Sequence, residues 1–327
     1  MMNKLKVGVV GTGVLGRFHS KLYSENNKVE LVGIYDAVPA QAEKVAKEFS
    51  TAVFPTLKDL AQSCDALTVA VPATLHYSSV MELINMKKHV LVEKPIADDV
   101  DSAEKMVSAA QKAGIVFGVG HVERFNPAIV YLKNNCTNPL FMEIHRMAKY
   151  PPARPGSFRR GTEVGVVLDL MIHDLDLVLS MVNSEVLHFD AFGAPVLSDT
   201  EDIANVRITF QNGAVANLTA SRVSPVPVRK FRVFQENSYT SMDLTSKNGV
   251  FFSKSPFGIG KKQIKVDDRN ALADEIDNFV DAVIKTKSTG NPVETYVPGW
   301  QGLRALKLAV QISEAVKEYN KNNHFNF

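Results

Sequence analysis

The sequence predicts an α/β protein with two domains, and two observations carry the prediction. Over residues 1–122, short apolar segments alternate with helical segments, as in the β-α-β units of a doubly wound parallel sheet. After residue 185, strand patterns follow one another with short turns, which is typical of an antiparallel sheet. We therefore expect an α+β domain with an open, largely antiparallel sheet over residues 123–327, and the chain is long enough for both domains.

The first strand and the first helix flank a glycine-rich turn. Leu5 to Val10 is a short apolar segment with β-branched residues, and a helical pattern continues to Tyr23. A G-x-G-x-x-G turn in this context is the fingerprint of a dinucleotide-binding Rossmann domain, in which the backbone approaches a pyrophosphate at the helix N-terminus. The predicted cofactor contacts in this turn are Gly11, Thr12, Gly13, Val14, Leu15 and Gly16.

The second predicted strand, Val29 to Tyr35, ends at Asp36, which lies 20 positions after Gly16. An acid at this place accepts hydrogen bonds from the ribose hydroxyls of the adenosine and repels a 2′-phosphate. We therefore predict that Asp36 binds the cofactor and that the cofactor is NAD in preference to NADP.

Strands and helices continue to alternate up to residue 120. We predict helices over 40–49, 57–62, 77–86 and 102–112, and strands over 66–71, 89–92 and 115–119. Ligands bind a doubly wound sheet outside the carboxyl ends of its strands. Residues at those ends are therefore predicted to border the cofactor, namely Pro72, Thr74, His76, Glu93, Lys94, Pro95 and His121.

Lys94 has two interpretations. A lysine at a strand end is usually a solvated surface charge. Its position between Glu93 and Pro95, at the expected cofactor crevice, favours a role as hydrogen-bond donor to a substrate oxygen.

The segment from Glu163 to Val182 is apolar on almost every side, which predicts a buried helix. Asp169, His173 and Asp176 follow one another at i, i+4 and i+7 and would share one face of it, whereas Asp174 points elsewhere. Buried carboxylate and imidazole groups need partners, so this face borders a polar cavity, a ligand or another charge.

Three interpretations of this face remain open from the residues alone. It is a satisfied polar contact inside a core, or it lines a catalytic cavity, or it is a metal site of the form Asp-x3-His-x2-Asp. The metal interpretation is disfavoured because further ligands would be needed, and we predict no metal. Asp169 and His173 are our candidates for catalysis and for substrate contact.

Polar residues around the start of the second domain are further candidates for substrate binding. Arg124 and Asn126 follow the last strand of the first domain, and Asn126 is expected to cap a helix that begins at Pro127. The loop over 151–162 precedes the Asp169 helix and is either solvated or binds an anion. Its arginines are Arg154, Arg159 and Arg160, of which we predict that Arg159 and Arg160 contact the substrate.

The second half of the chain is rich in strand patterns. We predict strands over 140–150, 186–192, 203–210, 214–221, 229–235, 238–244 and 249–252, and closing helices over 274–284 and 302–318. The asparagine-glycine pairs that end at Gly213 and Gly249 are hairpin signals. One face of such a sheet would be covered by helices, and the other would be left for a homo-oligomer.

Composition and charge exclude several classes of protein. The chain has 45% hydrophobic and 22% charged residues and a net charge of +2, which favours neither nucleic acid nor a membrane surface as partner. It has no apolar run of about 18 residues, as a membrane span requires. The N-terminal segment has no apolar signal core, and Cys64 and Cys136 fit a reducing compartment. We expect a cytoplasmic protein.

The motifs together resemble the Gfo/Idh/MocA oxidoreductases over essentially the whole chain. The matching elements are Gly11-x-Gly13-x-x-Gly16, Asp36, Val71-Pro72-x-Thr74-x-His76, Glu93-Lys94-Pro95, Arg124-Phe-x-Pro127 and Leu168-Asp169-x-x-x-His173. The resemblance implies an NAD(P)-binding Rossmann domain, a catalytic group of Lys94, Asp169 and His173, and a second domain whose sheet forms a homodimer or homotetramer. HVERFNP and LDLMIHDLDLVLS look most like the UDP-N-acetylglucosamine 3-dehydrogenases.

The residues and the resemblance lead to one expected mechanism. A secondary alcohol of a sugar or nucleotide sugar loses hydride to nicotinamide, and its hydroxyl proton goes to His173. Asp169 orients the imidazole or holds the substrate, and Lys94 stabilises the developing alkoxide, although His173 and Lys94 could exchange roles. Two alternatives stay open: a reductase of another small substrate, such as an imine, a dihydrodiol or a tetrapyrrole, and a regulatory NAD-binding protein without turnover.

Overall fold

The computed structural model of the protein describes residues 4–152 and 164–323 and divides the chain into two compact units. The first unit consists of Met1–Val122 and Asn270–Arg304, and the second of Glu123–Arg269 and Ala305–Phe327. The sequence prediction assigned everything after residue 122 to the second domain. The structure differs from it because the segment Asn270–Arg304 packs with the first unit.

The number and the order of the helices in the described residues are those expected for an α/β protein. A 3₁₀ turn over Ala73–Leu75 precedes the fourth helix, and another over Val122–Phe125 precedes the sixth. The α-helices are α1 Val14–Glu25, α2 Pro39–Phe49, α3 Leu57–Ser63, α4 His76–Asn85, α5 Val100–Ala113, α6 Pro127–Asn135, α7 Ile172–Met181, α8 Ala271–Thr289 and α9 Gly299–Asn322.

The strands of the first unit form one parallel sheet, which confirms the predicted doubly wound architecture. They are β1 Leu5–Val10, β2 Val29–Tyr35, β3 Ala52–Val53, β4 Ala66–Val69, β5 His89–Glu93 and β6 Phe117–Gly120. Their order is β3-β2-β1-β4-β5-β6, and the chain reverses direction across the sheet between β1 and β4. A ligand is expected at the carboxyl ends of the strands at this reversal.

Helix α8 completes the core of the first unit. Its residues Ile276, Phe279 and Val280 are at most 1% exposed and lie in the same apolar cluster as Val7 and Val9 of β1. The central strand needs cover on both faces because its side chains are apolar on both. Helix α8 therefore buries apolar surface that residues 1–122 alone would leave exposed.

The strands of the second unit form one mixed sheet. They are β7 Phe141–Met147, β8 Val186–Ala194, β9 Ile203–Phe210, β10 Val215–Ser221, β11 Val228–Gln235, β12 Ser238–Asp243, β13 Asn248–Ser255 and β14 Gly258–Lys265. Their order is β14-β13-β12-β11-β7-β10-β9-β8, and every pair is antiparallel except β7 with β10. The predicted open, largely antiparallel sheet is confirmed.

Strand β14 was not predicted, and its composition explains why. Gly258 to Lys265 contains glycines and lysines, and only Ile264 of the strand is buried. An exposed edge strand of this kind has no apolar alternation to mark it. It is held by its pairing with β13 along the full length of both strands.

One face of this sheet is buried and the other is not. Along β7, Met142, Ile144 and Arg146 are buried, whereas the alternate residues are half-buried. Four aromatic side chains cross the less buried face on neighbouring strands at ring distances of 4.5 to 5.9 Å. We call this set the aromatic row; it consists of Phe141, Phe234, Tyr239 and Phe252.

The segment predicted as one long α-helix begins as a π-helix. Val167–Met171 forms a π-helical turn, and α7 continues from it to Met181. Asp176 is 1% exposed, whereas Asp169 and His173 are half-buried. The single face predicted for these three residues stays a prediction. No helix of the described residues is long and apolar enough to cross a membrane.

Candidate active site

The glycine turn after β1 leaves space for a ligand at the N-terminus of α1. Gly11 has φ +86°, and a Cβ on Gly16 would lie 1.8 Å from the carbonyl oxygen of Gly11. Gly13 is the N-cap of α1, and a Cβ built there would meet no atom within 4 Å. Bare backbone beside open space at a helix N-terminus is what a pyrophosphate needs, so these residues fit NAD.

Asp36 is held by the same turn. Its Oδ2 accepts the backbone N–H of Thr12 at 2.6 Å and the Thr12 hydroxyl at 2.8 Å, and its Oδ1 accepts the N–H of Val38 at 2.8 Å. Thr12 is 2% exposed. The carboxylate is thus fixed at the end of β2, with further lone pairs available to ribose hydroxyls.

Lys94 follows β5 and is half-buried, and its peptide bond to Pro95 is cis. The preceding Glu93 is 7% exposed and lies 2.8 Å from Nε2 of His19. Burial by itself raises the pKa of Glu93, but the hydrogen bond and charge of His19, with those of Lys94, hold that pKa below its ordinary value. Lys94 is therefore preceded by a buried carboxylate.

His76 connects two strand-end loops. Its side chain is 1% exposed, with Nδ1 at 2.8 Å from the carbonyl of Pro95 and Nε2 at 3.0 Å from that of Val71. Burial lowers its pKa. We had predicted a cofactor contact for His76, but both ring nitrogens face backbone carbonyls, so we assign it to the scaffold.

The other predicted residues at strand ends divide by exposure. Pro72 and Thr74 are exposed and Pro95 is half-buried, so a ligand can reach all three. His121 is 1% exposed, and its backbone N–H donates to Val119 at 2.8 Å. A buried imidazole offers little surface to a cofactor, and its predicted contact has no support from its exposure.

In the second unit, Asp169 lies in the π turn and His173 in the first turn of α7. Both are half-buried. Residues next to β9 and β10 anchor the entry to the turn: the N–H of Val166 donates to the carbonyl of Glu201 at 2.9 Å, and Arg222 donates to the carbonyl of Val164 at 2.8 Å. Glu201 precedes β9 and Arg222 follows β10, so both strands help to position the turn that carries Asp169.

Arg222 is itself fixed by Asp202, and both are at most 2% exposed. Nε of Arg222 lies 2.7 Å from Oδ1 of Asp202, whose Oδ2 accepts the N–H groups of Val196 and Ser198 at 2.8 and 2.9 Å. Burial alone raises the pKa of Asp202, but the N–H of Leu197, together with Arg222, the N–H of Val196 and the hydroxyl of Ser198, lowers it to about 2.

The remaining acids of α7 are engaged by buried arginines. Asp176 receives two bonds from Arg124, at 2.6 and 2.7 Å, and Asp174 receives two from Arg146, at 2.9 and 2.7 Å. All four side chains are at most 4% exposed. Asp174 is thus as deeply placed as Asp176, and both serve the fold.

Arg124 and Asn126, which we predicted to contact the substrate, have internal partners. Arg124 is 3% exposed and forms the bidentate pair with Asp176. Asn126 caps α6, as predicted, by accepting the N–H of Ala128 at 3.0 Å, and its amide donates to Glu123 and Leu244. We assign both to the support of the site. Arg154, Arg159 and Arg160 lie outside the described residues, and their role stays a prediction.

Comparison with known proteins adds a second line of evidence to this geometry. Residues 5–121 match the oxidoreductase family with an NAD-binding Rossmann fold, and residues 135–239 match the GFO/IDH/MocA C-terminal domain. The chain belongs to the Gfo/Idh/MocA family of oxidoreductases. The predicted resemblance is confirmed in both domains.

Individual members of the family are similar over 69% to 97% of the chain. The UDP-N-acetylglucosamine 3-dehydrogenase of Acidithiobacillus ferrooxidans is 32% identical over 97% of this chain and 99% of its own length. The solved structure of that protein superposes with a TM-score of 0.89, covering 97% and 99% of the two chains. The scyllo-inositol 2-dehydrogenase of Bacillus subtilis is 25% identical over 69% of each chain.

In this Gfo/Idh/MocA chain, sequence reasoning missed His19, Arg146 and Arg222. Each has a polar side chain at most 3% exposed, and each holds a buried carboxylate. For His19 and Arg146 the available signal was a polar residue among the apolar positions of a helix or strand, and Arg222 directly follows a strand. The sequence does not show which acid is the partner of each.

One group of described side chains has the composition of a metal site. His19, Glu93 and Glu275 are buried, and their ligand atoms lie within 4.8 Å of one another. Glu93, however, already accepts from His19 through Oε1 and from the backbone N–H of Lys94 through Oε2. The Asp169-His173-Asp176 metal arrangement, which the sequence left open but disfavoured, is disfavoured further because Arg124 donates to both oxygens of Asp176.

Proposed function

We propose that this chain is an NAD-dependent dehydrogenase that oxidises the 3-hydroxyl of UDP-N-acetylglucosamine. The observation that carries the proposal is the 32% identity to a UDP-N-acetylglucosamine 3-dehydrogenase over 97% of the chain, which includes both domains. Relatives named for inositol or glucose 6-phosphate oxidation also act on secondary hydroxyls, so the reaction type is common to them.

The cofactor would lie along the glycine turn of the first unit. Gly11, Gly13 and Gly16 provide the backbone surface for the pyrophosphate, and Asp36 provides acceptors for the ribose hydroxyls. NAD, when bound, supplies the hydride acceptor of the reaction.

Preference for NAD over NADP is part of the proposal. The carboxylate of Asp36 would repel a 2′-phosphate, and the residues after it, Ala37 and Val38, carry no positive charge. Arg17 of α1 is engaged in an ion pair with Glu48. A 2′-phosphate would therefore meet the fixed negative charge of Asp36 and no positively charged residue in this loop.

Proton transfer is assigned to His173, Asp169 and Lys94. His173 would accept the proton of the substrate hydroxyl, because an imidazole titrates near neutral pH. Asp169, half-buried in the π turn before it, would orient the ring or hold the substrate. Lys94 would donate a hydrogen bond to the same oxygen and stabilise the developing alkoxide. Lys94 could instead accept the proton and His173 donate the hydrogen bond, and the overall reaction would be the same.

The diphosphate of the substrate would be bound by arginines of the loop 151–162. A guanidinium binds phosphate oxygens with charge-assisted bonds of about 1.5–3 kcal/mol each. The loop joins β7 to the π turn in the sequence, so Arg159 and Arg160 are close in sequence to Asp169. A free sugar would have no phosphate group for these arginines to bind.

We further propose a homodimer or homotetramer that buries the aromatic row. Its four rings cross the less buried face of the sheet, and Lys261 lies 5.7 Å from the Phe252 ring at its end. Aromatic side chains are enriched at such interfaces. A cytoplasmic location is proposed from Cys64 and Cys136, which are both buried and not joined to each other.

Turnover of a panel of substrates tests this function. NADH formation would be followed with UDP-N-acetylglucosamine, N-acetylglucosamine, myo-inositol and glucose 6-phosphate, and binding by thermal shift in the presence of NAD. We expect turnover of the nucleotide sugar alone. Turnover of a free sugar or polyol in its place would contradict the substrate, and reduction of an imine or dihydrodiol with NADH would favour the reductase alternative.

A further inference from the structure

A histidine and a glutamate are buried next to Lys94, and the reaction assigned above uses neither. His19 lies in the second turn of α1 with a side chain 0% exposed, and Glu93 ends β5. Nε2 of His19 lies 2.8 Å from Oε1 of Glu93. Because a carboxylate oxygen only accepts, the imidazole donates this bond.

The second oxygen of Glu93 is directed at the backbone of Lys94. Oε2 accepts the N–H of Lys94 at 3.3 Å. The pKa of Glu93 is lowered, since the bond and charge of His19 and those of Lys94 outweigh the effect of burial. An ionised carboxylate therefore joins His19 to the main chain of Lys94.

The carboxylate is also enclosed by the neighbouring strand. Gly120 pairs with Glu93 across β5 and β6, and a Cβ on Gly120 would lie 3.0 Å from Oε2. On another side Glu275 of α8 brings a carboxylate oxygen within 4.8 Å of the His19 and Glu93 atoms. Within this crowded, buried position, the N–H of His19 and that of Lys94 are the hydrogen bonds that hold the carboxylate of Glu93.

We propose that His19 is a positioning residue for Lys94, acting through Glu93. The bond from His19 fixes the carboxylate, the carboxylate fixes the N–H of Lys94, and the main chain at Lys94 sets where its ammonium meets the reacting oxygen. The inference rests on the proposed catalytic role of Lys94. A displacement of about 1 Å at such a group can cost roughly 100-fold in rate, so the link matters to turnover.

Two substitutions of His19 test the link. His19→Leu keeps the volume and removes the donor, and it should lower kcat by about 10- to 100-fold. The KM for UDP-N-acetylglucosamine and the Kd for NAD should change by less than about twofold, because neither ligand is assigned to His19. His19→Gln places an amide N–H at similar reach and should restore most of kcat.

Tyr23→Phe is the matched control. Tyr23 lies one turn later on α1, is 1% exposed and bonds the hydroxyl of Thr68 at 2.8 Å, without a bond to Lys94 or Glu93. It should lower the midpoint of thermal unfolding and leave kcat unchanged. An equal loss of kcat in Tyr23→Phe and His19→Leu would make His19 a residue of the fold only and would overturn the proposal.

The effect of Lys94→Met on turnover distinguishes the proposed function of Lys94 from the proposed positioning role of His19. If Lys94→Met turns over at the wild-type rate, the assigned function of Lys94 fails, and the positioning role with it. If Lys94→Met is inactive but His19→Leu keeps wild-type kcat, the function stands and the positioning role is overturned. Should His19→Leu not fold, Glu93→Gln takes its place with the same expected loss, and unchanged kcat in that variant has the same meaning.

Discussion

Charged side chains at the strand ends of the first unit are held by backbone groups. Asp36 accepts from the N–H of Thr12 at 2.6 Å and from that of Val38 at 2.8 Å, and Glu93 accepts from the N–H of Lys94 at 3.3 Å. Fixed carboxylates of this kind discriminate between ligands by charge as well as by shape. Cofactor choice and turnover are therefore testable one residue at a time.

Cofactor choice should depend on the charge of Asp36. We expect the wild-type protein to bind NADH more tightly than NADPH, and Asp36→Asn to reduce that ratio by about tenfold, because the amide no longer repels a 2′-phosphate. Titration with both cofactors, followed by intrinsic fluorescence, measures the ratio. Asp190→Asn, at an exposed acid of β8, should leave it unchanged. Tighter NADPH binding by the wild type would contradict the assignment.

Turnover should depend on Lys94, Asp169 and His173. We expect Lys94→Met, Asp169→Asn and His173→Ala each to lower kcat by about 100-fold or more, because each removes a group assigned to proton transfer or to alkoxide stabilisation. NAD binding should persist in all three. Lys105→Met, at an exposed lysine of α5, is the control. Near-normal turnover of Lys94→Met would refute the site.

At the scale of elements, the π turn is the feature that the sequence did not predict. The apolar pattern of 163–182 indicates a buried helix, and the structure has one over most of that length. The pattern carries no information on the register of its first turn, which is set from outside by Glu201 and Arg222. Local periodicity cannot show such contacts, because the partners are distant in sequence.

The glycine turn and its acid were predictable because their chemistry is local. Gly11, Gly16 and Asp36 occupy fixed positions relative to two strands and a helix, and the fold follows that spacing. The roles of Arg124 and His76 were not predictable. From the sequence alone, an arginine or a histidine at these positions could equally well bind a ligand. Only the fold shows that Arg124 is paired with Asp176 and that the ring nitrogens of His76 face two backbone carbonyls.

The π turn should be sensitive to the volume of Gly165. A Cβ there would lie 1.8 Å from the carboxyl of Glu201, which hydrogen-bonds the backbone of Val167, the first residue of the turn. We expect Gly165→Ala to lower the free energy of unfolding by about 1–3 kcal/mol and to lower kcat as Asp169 shifts. Urea denaturation and steady-state kinetics measure the two effects.

A second glycine-to-alanine substitution, at Gly260, tests whether the loss of stability and of kcat is specific to Gly165. Gly260 of β14 would place its Cβ no closer than 3.5 Å to another atom, so Gly260→Ala should change the free energy of unfolding by less than about 0.5 kcal/mol. Equal stability and kcat in Gly165→Ala and Gly260→Ala would show that the turn does not depend on Glu201.

The anchor of the π turn should weaken in acid. The folded-state pKa of Asp202 is about 2, below the ordinary 3.8, so its contribution is present above pH 3.8 and is lost as pH falls toward 2. We expect Asp202→Asn to lower the free energy of unfolding by about 2 kcal/mol at pH 7, and by progressively less below pH 4. Urea denaturation of both proteins at pH 7 and pH 3 checks this; a difference independent of pH would contradict it.

At the scale of the whole molecule, the second unit presents one sheet face that its own helices do not bury. The aromatic row lies on this face, with Glu143 and Arg232 paired beside it. Aromatic rings flanked by an ion pair resemble the core and rim of a protein interface.

Assembly should depend on the aromatic row. We expect the wild-type protein to sediment as a dimer or tetramer and Phe234→Glu to sediment as a smaller species, because a charge at the centre of the row would be desolvated on association. Sedimentation velocity measures the species. Phe257→Ser, at a phenylalanine that is fully exposed beyond the row, should leave the wild-type assembly intact. A wild-type monomer would contradict the proposal.

The return of Asn270–Arg304 to the first unit bears on how the chain folds as it leaves the ribosome. Residues 1–122 emerge first, but Phe279 and Val280, which complete their core, follow about 150 residues later. At roughly 5–20 residues per second, the nascent first unit would wait between about 7 and 30 s for that helix. During this interval its apolar surface around Val7 and Val9 lacks the cover of α8, and exposed apolar surface is prone to aggregate. A fragment ending at residue 122 would keep that surface permanently, and we expect it to aggregate when expressed alone.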